Sequence, residues 1–255
     1  MIKDNNFEWY ESCGMVKGAY AMHRASMEIL AALKPHSKTN GVGTDYSTCS
    51  HEMLPTGVAQ TIGFIDSAEI QRSGIHTKPG PGYRVCDIGF GVGGFLLAAM
   101  MYTHKRGWIM SGVERDGHLV DTYHEWLSAI INLMPATASE MNELKTNCIK
   151  GEIKPGSTTT LVTQCVQQAN TVFVNNFLFG DMTGRGASEG SFNGTIALIL
   201  CGCEVGTWVI TTGILDATHN GRKLQLWKHL TWKRHSFSWT ANEVGGYMYH
   251  VVACE

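Results

Sequence analysis

Five short apolar runs alternate with apolar helical stretches between residues 83 and 212, and this restricts the chain to a parallel sheet carrying helices on its faces. The runs are Tyr83-Arg84-Val85-Cys86, Trp108 to Val113, Cys148 to Ile153, Thr171 to Val174 and Trp208 to Thr212. Helical spacing fills the gaps, over Phe95 to Tyr102, Leu119 to Leu133, Leu161 to Ala169 and Thr195 to Cys201. Aromatic and β-branched runs in residues 224–254 then read as closing antiparallel strands. The expectation is an α/β, Rossmann-like sheet of seven strands.

Upstream, apolar residues at helical spacing from Tyr20 to Leu33 stop at Pro35, and polar residues 36–50 read as a loop. A second helix is expected from Pro55 to about Ile70, with the proline in its first turn. A Pro- and Gly-rich stretch follows. Residues 1–72 therefore form a small, mainly helical N-terminal part and 73–255 the α/β domain. Gly180 to Ser191 has the composition of a mobile loop.

Of the 255 residues 44% are hydrophobic and 16% charged, enough apolar material for one sizeable core. The formal charge of -2 gives the whole molecule no attraction for a polyanion, so any nucleic-acid contact must come from local basic patches. The candidates are Arg222-Lys223, Lys228 and Lys233-Arg234-His235, a pattern that ordinary solvated faces also produce. The eight cysteines are scattered, several within apolar runs, and read as reduced thiols. No paired CxxC or HExxH occurs, and Cys201-Gly-Cys203 lacks a matching second pair of ligands, so no metal is expected. The N-terminal MIKDNNFEWYE has no apolar core of the signal-peptide kind, and no segment approaches the ~18 apolar residues of a membrane span. A soluble, intracellular protein without a membrane partner is expected.

The first run leads into Asp87-Ile88-Gly89-Phe90-Gly91-Val92-Gly93-Gly94. Ligands of open α/β sheets bind outside the carboxyl ends of the strands, where glycines let the backbone approach closely. Gly89, Gly91 and Gly94 alone make a weak signal, since glycine clusters also build plain turns. Two ligands compete: a dinucleotide, whose pyrophosphate seeks amides at a helix N-terminus, and S-adenosylmethionine, which has no phosphate. Asp87 would repel a pyrophosphate but suits a zwitterionic amino-acid end and a sulfonium, so the order of residues favours the methyl donor. Glu114, ending the second run, can accept both ribose hydroxyls of either ligand. After the third run, Glu152 can accept from an adenine amino group while Ile153 packs on the ring.

The segment Val172-Phe173-Val174-Asn175-Asn176-Phe177 closely resembles the VNNF signature of the disruptor-of-telomeric-silencing family of non-SET histone-lysine methyltransferases. Cys49-Ser50-His51-Glu52, with Val58-Ala59-Gln60, is similar to that family's loop before the glycine motif, and Phe237-Ser238-Trp239-Thr240, with Tyr247, to its terminal segment. The likeness runs from Cys49 to Val252. It implies a class I methyltransferase fold, S-adenosylmethionine as cofactor and S-adenosylhomocysteine as product. It further implies that Glu52, Asp87, Gly89, Gly91, Glu114, Glu152 and Ile153 contact the cofactor, with Phe90 and Gly94 in the same loop. Phe173, Asn175, Trp239 and Tyr247 would line a channel for a lysine in the globular core of nucleosomal histone H3, in the nucleus.

Three departures are visible. Ser50-His51 stand where the family has Tyr-Gly, one extra residue separates Trp239 from Tyr247, and there is no lysine-rich extension of the kind such enzymes use to hold nucleosomal DNA. Other readings of the same residues are a methyltransferase for another protein, a nucleic acid or a small molecule, an NAD-dependent oxidoreductase, and a silent module that has kept the fold.

Overall fold

A computed structural model describes residues 53–74, 78–133, 135, 138–153, 161–176, 192–215, 217–219, 221–234, 236–237 and 242–254. In chain order the described elements are α1 (Pro55–Ser73), β1 (Arg84–Ile88), α2 (Gly94–Thr103), β2 (Ile109–Glu114), α3 (Gly117–Leu133), α4 (Ala138–Asn147), β3 (Cys148–Lys150), α5 (Leu161–Gln167), β4 (Thr171–Val174), α6 (Phe192–Leu200), β5 (Trp208–Thr211), β6 (Thr218–His219), β7 (Arg222–Trp232) and β8 (Val244–Ala253). The helix expected over Tyr20 to Leu33 and the loops at 36–50 and 180–191 lie outside the described residues.

The strands form one sheet in the order β3-β2-β1-β4-β5-β8-β7-β6. β1 pairs in parallel with both β2 and β4, β2 with β3, and β4 with β5. β8 runs antiparallel between β5 and β7. This is the expected α/β, Rossmann-like sheet, with one difference in number: beside the seven strands stands an eighth, the two-residue β6, formed where the chain folds back on itself ahead of β7. The inner strands read as unbroken apolar runs because both faces are covered; β4 (TVFV) and β5 (WVIT) are buried at every position.

Alternation along the strands divides the core in two. Val85, Met110, Phe173, Ile210 and Met248 face a layer built from α1, α2, α3 and α4, whereas Cys86, Ile88, Val172, Val174 and Val209 face α5 and α6. Helix α2 is apolar all round and all ten of its residues are buried, as such a helix must be. In α3, Leu119, Val120, Tyr123, Trp126, Leu127 and Ile130 supply the inward stripe at i, i+3 and i+4 spacing. Polar α4, which the sequence pattern does not announce, is anchored by only two buried residues, Met141 and Leu144. β3 stops at Lys150, short of the expected Ile153. α1 continues past Ile70 to Ser73, ending at Gly74 in the left-handed region (φ 64°), whose N–H donates to Ile70 O.

Polar contacts tie α1 to the sheet at both ends. Near its C-terminus the Glu69 carboxylate accepts bonds from Trp208 Nε1 (3.0 Å), the Tyr83 hydroxyl (3.0 Å) and Arg72 Nη2 (2.6 Å). Near its N-terminus Gln60 Nε2 donates to Ser236 Oγ (2.9 Å), the Lys233 N–H donates to Gln60 Oε1 (2.8 Å), and Trp232 Nε1 donates to Thr61 Oγ1 (2.9 Å). Arg72 is half exposed, so its ion pair contributes little; the two bonds to Trp208 and Tyr83 are sheltered and carry the tie. Replacing Glu69 by Ala leaves an indole N–H and a phenol without that partner, and should lower the unfolding free energy by about 2–4 kcal/mol in a denaturant titration.

Candidate active site

The pairing registers set one row of residues across the carboxyl end of the sheet: Ile149, Val113, Ile88, Val174, Thr211, Tyr247 and His229. One residue further along their chains come Lys150, Glu114, Gly89, Asn175 and Thr212. Gly89, Glu114 and Asn175, from three separate motifs, are thus brought side by side, and Tyr247 stands in the row itself. Bonds across the strand ends fix this edge: the Gly89 N–H donates to Val113 O (2.7 Å), and the Thr212 N–H to Val174 O (3.3 Å).

Gly89 is exposed, with φ 76°, and a Cβ built on it would meet nothing within 4 Å. The backbone there is bare toward open space, as a close-approaching ligand requires. Gly93 also has a positive φ, 79°, and in addition a Cβ on it would run into the Tyr123 ring. Tyr123 in turn packs on Phe90, centroids 5.1 Å apart, so Phe90 is the loop's hydrophobic anchor and is buried. Gly94 opens α2 and is buried as well.

Glu114, almost fully buried, is bonded to this loop. Its Oε2 accepts from the Gly91 N–H (3.0 Å) and its Oε1 from the Asp116 N–H (2.8 Å). A carboxylate has about four acceptor positions, so two bonds leave each oxygen room for one more. Asp87 is buried at 3% exposure on the α3 side of β1. Burial pushes the Tyr123 phenol and the Cys148 thiol well up, and the Asp87 carboxylate adds a smaller push in the same direction, so both neighbours stay protonated.

At the end of β4 the two asparagines divide their work. Asn175, half-buried, accepts a bond from the Thr212 hydroxyl at Oδ1 (2.9 Å). Asn176 is fully buried: its Oδ1 accepts the Gly213 N–H (2.6 Å) and its Nδ2 donates to Asn193 Oδ1 (3.1 Å), pinning β4 to α6 and to the turn after β5. Sequence reasoning overlooked Asn176 and Thr212. The doubled amide was the available signal, because a fully buried amide needs partners on several elements.

Other expected positions fall differently. Phe173 is buried, its ring stacked on Phe95 at 4.6 Å between the sheet and α2 rather than on the open edge. Ile153 is buried among Val113 and Val162 in the second core, and Glu152 beside it is exposed. Tyr247 is half-buried, with the His229 ring at 5.3 Å and the Tyr249 ring at 6.2 Å. Glu52 and Trp239 lie outside the described residues, but Met53 and Phe237 form an isolated antiparallel bridge, and Leu54 N–H donates to Ser236 O (2.8 Å). Met53-Leu54 and Ser236-Phe237 therefore lie side by side. Among the described residues no group of three His, Cys, Asp or Glu could hold a metal ion, and no helix is long and apolar enough to cross a membrane.

No family model matches the chain, and no curated protein matches it. Solved structures similar to it include an S-adenosylmethionine-dependent methyltransferase from Thiobacillus denitrificans in complex with S-adenosylhomocysteine (11% identity, TM-score 0.41, 79% of this chain and 92% of that one). Precorrin-6y C5,15-methyltransferase from Geobacter metallireducens is 11% identical, with a TM-score of 0.37 over 71% of this chain and 86% of that one. A methyltransferase from Geobacter sulfurreducens is 15% identical, with a TM-score of 0.32 over 66% of this chain; the match spans 49%, about half, of that protein's length. The strand order, not these likenesses, assigns the fold.

Asn176→Ala should cost about 2–4 kcal/mol of stability, because it strands the Gly213 N–H and the Asn193 amide in a dry site. Asn175→Ala should cost no more than about 1 kcal/mol. Parallel thermal or denaturant unfolding of the two variants separates the structural amide from the one at the edge.

Proposed function

We propose that this chain is an S-adenosylmethionine-dependent methyltransferase whose substrate is a lysine in the globular core of nucleosomal histone H3. The observation that carries the cofactor is the edge itself: the open space beside Gly89, next to a Glu114 carboxylate already bonded to the glycine loop through Gly91. Two features weigh against a dinucleotide. Asp87 is buried at the entry to the loop, where a pyrophosphate would meet its charge. The antiparallel β8 between β5 and β7 also departs from the dinucleotide-binding order 3-2-1-4-5-6.

The residues fit the cofactor in a definite way. Glu114, holding one amide on each oxygen, keeps acceptor positions for two vicinal hydroxyls, and Gly89 lets an amino-acid moiety lie against the backbone near Asp87. When bound, S-adenosylmethionine would supply a sulfonium methyl group that an uncharged amine can displace, releasing S-adenosylhomocysteine. The chain's own task is to align the amine, exclude water from it and hold it uncharged, which burial alone favours for a lysine. No side-chain base is required.

The lysine assignment rests on the resemblance of Val172 to Phe177, Cys49 to Glu52 and Phe237 to Thr240 to the histone-lysine methyltransferases. In its support, Asn175 stands at the edge beside Gly89, and Tyr247 lies in the same cross-strand row. Lys223, Lys228, Lys233 and Arg234 are exposed along and just beyond β7, available for weak contact with nucleosomal DNA. A nuclear location belongs to this reading. One observation favours a second reading, in which the substrate is another protein, a nucleic acid or a small molecule: Phe173, a channel residue in the first reading, is packed into the core against Phe95.

Incubation with labelled S-adenosylmethionine and either reconstituted nucleosomes, free histones or RNA distinguishes the two. Label on a lysine of the H3 core, located by mass spectrometry and found only with nucleosomes, is the expected result; label on RNA or a small molecule instead discards the histone substrate. Asn175→Ala should lower methyl transfer by about 10²-fold, the loss expected from misplacing a reacting group, while leaving cofactor affinity nearly unchanged. Full activity of that variant would remove Asn175 from the site.

A further inference from the structure

Beneath the glycine loop two thiols face one another. Cys86 lies on β1 and is fully buried on the α5 side; Cys165 lies on α5 and is half-buried, with their sulfurs 3.9 Å apart. A disulfide needs about 2.05 Å between sulfurs, so closure brings the two sulfurs about 1.9 Å nearer. Near the pair lie the Ser111 hydroxyl, which donates to Val85 O (3.2 Å), and the positive charge of Arg84. The hydrogen bond from Cys86 is the main influence drawing the Cys165 thiol down to about 7, with Ser111 and Arg84 helping and burial opposing. The same bond pushes Cys86 well up, so Cys86 stays a thiol. Buried Cys203 is pushed up to about 12, and Cys148 is pushed up as well. Among the described cysteines Cys165 thus joins partial exposure, a second sulfur within reach and thiolate character, the combination that marks a redox-active thiol.

We propose that Cys165 and Cys86 form an oxidant-responsive pair, in which Cys165 reacts with a hydroperoxide and Cys86 resolves the product into an intramolecular disulfide. The Cys165 thiolate attacks one peroxide oxygen; the S–O bond forms, the O–O bond breaks, and the departing hydroxide or alkoxide takes up a proton, leaving a sulfenic acid. The Cys86 sulfur then attacks the Cys165 sulfur; the S–S bond forms, the S–O bond breaks, and the departing hydroxide leaves as water with the Cys86 proton. Two electrons pass from the two thiols to the peroxide, and a dithiol reductant reverses the change. The bridge fastens α5 to β1 three residues before Gly89. It stands apart from the methyl-transfer reading and does not need that reading to hold.

The test uses the full chain, reduced, desalted and exposed to a small excess of hydrogen peroxide, then alkylated and digested without reductant. The expected result is a linked peptide pair joining Cys86 to Cys165, an intact mass lighter by two hydrogens, and slower amide exchange over residues 161–167. Cys165→Ser should abolish the link, and Cys86→Ser, which keeps a hydrogen-bond donor beside Cys165 but cannot resolve the product, should leave a Cys165 sulfenic acid that dimedone traps. Unreactive Cys165, its passage to sulfinic acid with no linked peptide, or links confined to other cysteines would each overturn the proposal. The wild-type mapping decides the matter even if a variant fails to fold.

Discussion

β1 is hydrogen-bonded in parallel on both sides, to β2 and to β4, and the rest of the molecule is arranged around that double pairing. Parallel registers bring the strands' carboxyl ends to one edge, so the residues that follow β1, β2 and β4 must emerge together. Gly89, Glu114 and Asn175 are neighbours for that reason, although up to 86 positions separate them in the chain. Burial of both sheet faces is the cost of such pairing, and α2 with ten buried residues on one side and α5 with α6 on the other meet it.

Once the edge is formed, each residue there answers to one of two demands. Some hold the loop in shape: Gly93 makes room for Tyr123, Phe90 anchors on that ring, and Asn176 ties β4 to α6. Others keep polar capacity at that edge, above all Glu114, whose two amide bonds fix its orientation without exhausting its acceptors. A carboxylate held by the loop it serves loses little freedom on binding a ligand, which is the physical content of preorganisation.

The sheet was legible in the sequence because its inner strands are buried on both faces and read as plain apolar runs; Thr171 to Val174 matches β4 residue for residue. The rest was hidden for identifiable reasons. β6 is two residues long, and only the Asn-Gly pair at 220–221 hints at it. α4 has two apolar anchors in ten residues, too few to show a period. Strand ends and glycines mark the glycine loop and Glu114 in the sequence, and the Gly91 N–H bond to Glu114 joins the two in the structure. The resemblance implies a channel position for Phe173, whereas the period of the strand turns its side chain inward onto Phe95. Asn176 and the Cys86–Cys165 pair depend on contacts between distant elements, which no local pattern encodes.

Equilibrium titration of the protein with S-adenosylhomocysteine, followed by calorimetry and repeated with NADH, tests the central claim that this edge holds an S-adenosyl nucleoside. The account predicts saturable one-site binding of S-adenosylhomocysteine, weakened about 10²-fold by Glu114→Ala, whose charged hydrogen bonds to the ribose would be lost, and no heat with NADH. Binding of NADH, or no binding of S-adenosylhomocysteine by the folded wild-type chain, would contradict it.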